Sequence, residues 1–298
     1  MKTVSKKIIV LIVGFVTILS ITFCSESEPP SNIDDGNNTE DDGSVAYKVV
    51  AHRGGYLECG RPDCSISSLK YAIQLGCYAS ECDIAITRDN EIIVAHPENG
   101  YEINGLAPYL HTVAEIRAAG KLANGEEVPT LREFISLVKD KGQNPHGLRI
   151  WLDVKILSKD GISLRNDYPI DACLRACEII KEMDAEDYCE FLIPTGNDLI
   201  NALRDKVADE YKINISWATC TNPKNYKQAW AQLAYEKIFG NNVTYGPLDY
   251  INAGVPLSVY NVDDDEAMDR VIPYYPKLKA IFTNYPNKLI KKLKQKGK

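Results

Sequence analysis

Ser80-Glu81-Cys82-Asp83-Ile84-Ala85-Ile86 carries two acids two positions apart, with apolar residues between and after them. Alternate side chains of a strand face opposite sides, so Glu81 and Asp83 share one face while Cys82, Ile84 and Ile86 share the other. Leu148-Arg149-Ile150-Trp151-Leu152-Asp153-Val154-Lys155-Ile156 repeats the arrangement. There Asp153 and Lys155 lie with Trp151, and Leu152, Val154 and Ile156 oppose them. Four charged groups turned into a barrel interior are costly unless they serve a metal or a ligand.

Working outward from these two stretches, short β-branched runs alternate with helical patterns. Strands are predicted at Lys48–His52, Ser80–Ile86, Leu148–Ile156, Cys189–Pro194, Lys212–Trp217, Asn242–Tyr245, Pro256–Val262 and Lys279–Thr283, with Ile92–Ala95 as an extra short piece. Helices are predicted at Ser65–Leu75, Thr130–Lys141, Tyr168–Met183, Asn197–Val207, Pro223–Phe239 and Asp264–Ile272. Ile66, Leu69, Ala72 and Ile73 form one face of the first helix, and Thr130 with Glu133 reads as a capping box for the second. Eight strands alternating with helices over some 250 residues predict an α/β fold, a (β/α)8 TIM barrel; a doubly wound open sheet is the alternative. In such a barrel, chemistry gathers at the C-terminal ends of the strands.

The N-terminal part reads differently. Lys2, Lys6 and Lys7 precede an uncharged run, Ile8 to Phe23, which suits a signal peptide spanning 1–23. Ile21-Thr22-Phe23-Cys24 resembles a bacterial lipobox, although Phe23 stands where a small residue is usual. Residues 24–44 would then be a lipidated Cys24 followed by a solvated acidic tether, since 25–44 hold seven acids, no base and one isoleucine. Ser25-Glu26-Ser27-Glu28 resembles the acidic export signal of surface lipoproteins in Bacteroidetes. These features predict a lipoprotein membrane-anchored through Cys24 on the periplasmic or cell-surface side of the outer membrane. Residues 45–298 are expected to fold as one domain.

Charge narrows the partners. The chain carries −7; losing the three leader lysines makes it −10, and setting aside the seven tether acids leaves −3 for residues 45–298. So balanced a domain has no basic stripe for nucleic acid. Eight cysteines follow Cys24 in a disulfide-permissive compartment, but their spacings match no zinc pattern. Cys59 and Cys64 are near enough in sequence to close a small loop; most of the rest read as buried thiols.

The chemistry-bearing residues cluster in the first half of the domain. His52-Arg53-Gly54-Gly55 follows Val49-Val50-Ala51, and His96 follows Ile92-Ile93-Val94-Ala95. The chain has only four histidines, and His111 and His146 lack carboxylate neighbours. Imidazoles trade protons near neutral pH, so His52 and His96 are an acid/base candidate pair. Glu81, Asp83 and Asp153 offer hard oxygen ligands to one divalent cation, Mg²⁺ or Ca²⁺; the alternative is ion pairing with Arg53 and Lys155 in a structural network. Arg53 presents a planar fork to phosphate, and Lys155 a point charge.

Taken in order, His52-Arg53-Gly54, Pro62, Glu81-x-Asp83, Thr87-Arg88-Asp89, His96, Val128–Phe134, Asp153-Val154-Lys155, Tyr260–Asp263 and Ile281–Pro286 resemble the glycerophosphodiester phosphodiesterase family. The resemblance implies a barrel and metal-dependent hydrolysis of small glycerophosphodiesters to sn-glycerol 3-phosphate and an alcohol. It carries over His52 and His96 as the acid/base pair, Arg53 and Lys155 as phosphate contacts, and Glu81 and Asp83 as metal ligands. Three positions depart from the family pattern. Asp153 replaces the usual Glu as third ligand, Pro62-Asp63-Cys64-Ser65 replaces Pro-Glu-Asn-Thr, and Tyr260 replaces the Trp that packs on the glycerol. Two alternatives stand beside this reading: a phosphatidylinositol phospholipase C-like enzyme, and a non-catalytic ligand-binding module on the same fold.

Overall fold

A computed structural model of the chain describes residues 47–160, 162–192, 198–217, 222–225 and 229–298. The leader, Cys24 and the tether lie outside the described residues, as do Cys220 and Pro194. Residues 42–298 form one compact unit.

Eleven strands are described: β1 (Tyr47–Ala51), β2 (Cys77–Ile86), β3 (Ile92–Val94), β4 (Arg149–Val154), β5 (Ser158–Lys159), β6 (Ile162–Ser163), β7 (Cys189–Leu192), β8 (Asn214–Trp217), β9 (Trp230–Ala234), β10 (Leu257–Tyr260) and β11 (Ala280–Thr283). Eight of them pair in parallel in the order β1-β2-β4-β7-β8-β9-β10-β11, and β11 returns to β1, closing a barrel. β3 is antiparallel to β2, with Ile84 opposite Val94. β5 and β6 make a separate hairpin.

Strand parity acts as the alternation predicts within β2 and β4, whereas Ile156, read as a buried member of the apolar face, lies beyond β4 and is exposed. Cys82, Ile84, Leu152 and Val154 are buried in the outer layer with helical residues such as Leu69, Ile73, Phe134 and Ile180. Val50, Ala79, Trp151, Trp230 and Phe282 fill the barrel interior. Helix Ile66–Gln74 starts at a reciprocal Ser65/Ser68 cap, and helix Leu131–Lys139 starts at the Thr130/Glu133 capping box.

At the end of the barrel away from the strands' C-termini, Glu190 is 2% exposed and fully engaged. It accepts from Trp151 Nε1 (2.6 Å), Tyr78 Oη (3.1 Å), Asn214 Nδ2 (3.2 Å) and Lys279 Nζ (3.1 Å). Lys279 Nζ also lies 4.4 Å over the Trp230 ring. Burying a carboxylate is costly unless its oxygens find partners such as these.

Two predicted elements are corrected. The predicted helix Pro223–Phe239 divides into a 3-10 turn (Pro223–Asn225), strand β9 and a short helix, Tyr235–Phe239. The Ala-Gln-Leu-Ala segment favours helix locally, but β9 is paired on both sides and Trp230 fills the interior, so tertiary contacts override propensity. Asn242–Tyr245, predicted as a strand, forms turn and bend. The Cys59–Cys64 link is also absent: Cys59, Cys64, Cys77, Cys82, Cys173, Cys177 and Cys189 are all free thiols, and all but Cys59 are buried.

Candidate functional site

The chain leaves β1 into a tight turn, His52–Gly54, in which Arg53 (φ 46°), Gly54 (φ 80°) and Gly55 (φ 76°) are all left-handed. Glycine adopts this backbone at little cost, and Gly54 is also needed for space. A Cβ there would sit 2.4 Å from Ser68 Oγ and 2.7 Å from the Ser68 backbone carbon. The turn directs the Arg53 amide to Glu81 Oε2 at 3.0 Å and brings its guanidinium beside Asp83 Oδ2 (Nε, 3.0 Å) and Asp63 Oδ2 (Nη1, 3.2 Å).

Glu81 and Asp83 extend from β2 and Asp153 from β4, with Asp83 and Asp153 directly opposite in register. Glu81, Asp83 and Asp153 each offer an oxygen within 4.8 Å of the others'. Lys155 Nζ bridges Asp83 Oδ1 and Asp153 Oδ2 at 2.7 Å each. Ion pairing with Arg53 and Lys155, the alternative weighed for these carboxylates, is therefore present alongside a ligand-ready cluster. The two readings are compatible, because Asp83 Oδ1 and Arg53 Nε are buried and in charge contact yet neither makes an aligned hydrogen bond. An all-oxygen triad of this kind fits a hard cation. Burial, then Asp83 and Asp153, holds the Glu81 carboxyl well above its ordinary range. Burial also raises Asp153, against the pull of Lys155. Burial works to lower the Lys155 ammonium, but Asp153, Asp83 and Glu81 outweigh it and hold it above its ordinary value.

His52 lies with Nε2 3.8 Å from Glu81 Oε2 and Nδ1 2.8 Å from Asn284 Oδ1, its ring 5.1 Å from the Phe282 ring. Burial first, and the Arg53 charge second, push His52 below the usual histidine value. β3 returns alongside β2, and the Ala95 amide bonds to the Asp83 carbonyl at 3.0 Å. That puts the more exposed His96 at the mouth, lowered by burial and acted on by the charges of Asp83, Arg53 and Lys155. Tyr260 ends β10, half-buried, 6.1 Å from Phe282. It stands apart from the ion cluster, linked to it by the Asp153 charge that helps raise its phenol after burial.

Three contacts escape the sequence. The buried Cys64 thiol donates to Asp83 Oδ2 at 3.6 Å. Asn284 holds His52, and Asp263 holds Asn284 through its backbone and side-chain nitrogens, both at 2.8 Å. Both residues sit in segments that carry the family resemblance, but nothing local connects them to His52, which is 232 positions from Asn284.

A closed parallel barrel with two histidines, an arginine, a lysine and three convergent carboxylates at one mouth has the groups of an enzyme active site where such barrels carry theirs. Comparison with known proteins makes this particular. Residues 52–288 match the model of the Glycerophosphoryl diester phosphodiesterase family, and the chain belongs to that family. A glycerophosphodiester phosphodiesterase of Caldanaerobacter subterraneus subsp. tengcongensis is 28% identical over 262 residues, covering 84% of this chain and 98% of the relative. The crystal structure of a glycerophosphodiester phosphodiesterase from Parabacteroides distasonis superposes with a TM-score of 0.67 at 23% identity, covering 86% of this chain and 100% of that one. An Oleispira antarctica phosphodiesterase in complex with the product sn-glycerol-3-phosphate superposes with a TM-score of 0.61 at 18% identity, covering 83% and 96%. These structural likenesses bear on the barrel.

Proposed function

We propose that this phosphodiesterase hydrolyses small glycerophosphodiesters to sn-glycerol 3-phosphate and an alcohol, using one divalent cation, Mg²⁺ or Ca²⁺, and two histidines. The observation that carries this reading is the convergence of Glu81, Asp83 and Asp153 within 4.8 Å, with His52 Nε2 3.8 Å from Glu81. The family membership and the product named for the Oleispira enzyme support the substrate class.

Glu81, Asp83 and Asp153 would hold the cation, which supplies positive charge to the phosphoryl oxygens and lowers the pKa of a glycerol hydroxyl. With Asp63 also on Arg53, four carboxylates face Arg53 and Lys155, an excess of two negative charges that one divalent cation would neutralise. Neutral His52 takes the hydroxyl proton at Nε2 as the oxygen attacks phosphorus. His96, protonated from solvent, gives its proton to the departing alcohol. The resulting cyclic phosphate is opened by water: His96 takes the water's proton and His52 returns its own to the glycerol oxygen. Arg53 and Lys155 neutralise the phosphoryl charge. Tyr260 packs on the glycerol.

Release of glycerol 3-phosphate from glycerophosphocholine and glycerophosphoethanolamine tests the reading. His52→Ala and His96→Ala should each lose about 10²–10⁴-fold. Chelator should abolish turnover, and Mg²⁺ or Ca²⁺ should restore it. Near-normal rates in both variants would end the two-histidine scheme, and full activity in chelator on inositol lipid would favour the phospholipase C-like alternative. Anchoring through Cys24, outside the cytoplasm, is part of the same proposal: Cys24→Ser should move the protein from the membrane fraction to the soluble one.

A further inference from the structure

We propose that Asp263, acting through Asn284, is a positioning residue that fixes the tautomer and the aim of His52. This deepens the function proposed above and rests on His52 being the first base.

The argument begins at Asp263. Its carboxylate accepts three hydrogen bonds from two consecutive residues: Thr283 Oγ1 (3.0 Å) and the Asn284 amide (2.8 Å) on Oδ1, and Asn284 Nδ2 (2.8 Å) on Oδ2. An ionised carboxylate only accepts, so the atom of the Asn284 side chain that faces it must be the nitrogen. The other end of the amide is then an oxygen, 2.8 Å from His52 Nδ1. An amide oxygen also only accepts. A neutral His52 must therefore carry its proton on Nδ1, and the lone pair is left on Nε2. Nε2 is the nitrogen that faces the carboxylate cluster, 3.8 Å from Glu81. The chain Asp263–Asn284–His52 thus does with an interposed amide what a carboxylate does directly in a Ser-His-Asp triad.

The surroundings keep the chain from swivelling. Asn284 is 6% exposed. The residues just after it hold the short helix, Tyr56–Cys59, that follows the His52 turn: the backbone amides of Asn287 and Lys288 donate to the Glu58 carboxylate at 2.7 and 2.9 Å. A Cβ on Gly55 would lie 2.7 Å from Pro286 Cγ. With both segments held, rotation of the Asn284 amide is the one freedom left, and Asp263 removes it.

The test is Asp263→Asn, an isosteric change that leaves the metal and phosphate groups alone. An amide at 263 keeps its oxygen on the Asn284 backbone N–H and turns its nitrogen toward the Asn284 side chain, which favours the flipped amide and so the inactive tautomer of His52. We expect kcat to fall about 10–100-fold with KM unchanged. The swapped pair Asp263→Asn with Asn284→Asp puts an acceptor back on Nδ1 and a donor behind it, so kcat should recover. ¹⁵N-histidine NMR of the full chain reads the tautomer directly, and four histidines keep the spectrum assignable, with His52→Ala identifying the signal. The expected wild-type signature is Nδ1–H, with Nε2–H favoured in Asp263→Asn and Nδ1–H again in the swap. Nε2–H in the wild type, or an Asp263→Asn variant with unchanged kcat and tautomer, overturns the proposal. If His52→Ala itself keeps near-normal turnover, the base assignment fails instead; an inactive His52→Ala beside a fully active Asp263→Asn isolates the failure to the positioning chain.

Discussion

Replacing Lys155 with Met removes the charge that holds two carboxylates together while keeping the side chain's length. Lys155 Nζ lies 2.7 Å from both Asp83 and Asp153, with the lysine side chain 25% exposed, Asp83 1% and Asp153 31%. Breaking a buried pair costs about 3–5 kcal/mol. Partial exposure of the lysine and of Asp153 lets solvent screen part of this, leaving about 2–3 kcal/mol. For a domain this size that is roughly 4–12 °C in Tm, measured in chelator. Asp153 is already raised by burial, and an unpaired carboxylate takes up a proton more readily. The deficit is therefore largest at alkaline pH and shrinks as the pH falls through that raised range. A divalent cation no longer shares Asp83 and Asp153 with an ammonium, so Mg²⁺ or Ca²⁺ should raise Tm more in Lys155→Met than in the wild type. Each tenfold gain in affinity adds about 1.4 kcal/mol at saturation. Turnover should move the other way, falling about 10²–10³-fold with the lost charge at the phosphoryl group. Scanning calorimetry with and without cation decides the matter. A chelated variant within about 1 °C of the wild type, or equal cation gains in both proteins, would refute the reasoning.

Three further outcomes follow from the same geometry. His52 is pushed below its ordinary 6.5 by burial and then by Arg53, and the base works only when neutral; at saturating cation, kcat/KM should hold as the pH drops to 6.5 and fall only beneath it, so an acid limb centred above 6.5 that further cation does not move would contradict the assignment. Burial holds Glu81 and Asp153 above the usual carboxylate range, so cation uptake should release protons and strengthen with rising pH, which calorimetry in buffers of different ionisation enthalpy will detect. Gly54→Ala combines a left-handed backbone, about 1–2 kcal/mol, with overlap on Ser68, about 1–3 kcal/mol, and should lower stability in denaturant titrations by roughly the sum, along with activity.

Much of the site was legible because strands alternate. The two-residue period alone set Glu81 with Asp83 and Asp153 with Lys155, and the structure turns both pairs to the barrel mouth. The Ser65 and Thr130 helix starts were equally local, since a cap needs only its own first turn. Strand β9 was not legible. Trp230–Ala234 reads locally as helix, and only its neighbours β8 and β10 make it a strand. The predicted number of barrel strands matched the structure because the misplaced Asn242–Tyr245 stood in for β9. Cys59 and Cys64 show the opposite limit: closeness in sequence says nothing of where a thiol points, and Cys64 points at Asp83.

The sequence by itself determined the order of the chemistry-bearing residues, the face each occupies and the family pattern they resemble. These rest on nearest-neighbour geometry, which a linear chain carries along its length. The tertiary structure decided which strand lies beside which, and hence that Asp83 stands opposite Asp153. It also decided how the site's charges are shared among Arg53, Lys155 and the acids around them, and that Asn284 and Asp263 reach His52 from the far end of the chain. Such contacts join residues separated by most of the domain. Only closure of the barrel, which lays β11 against β1, brings them within hydrogen-bonding distance.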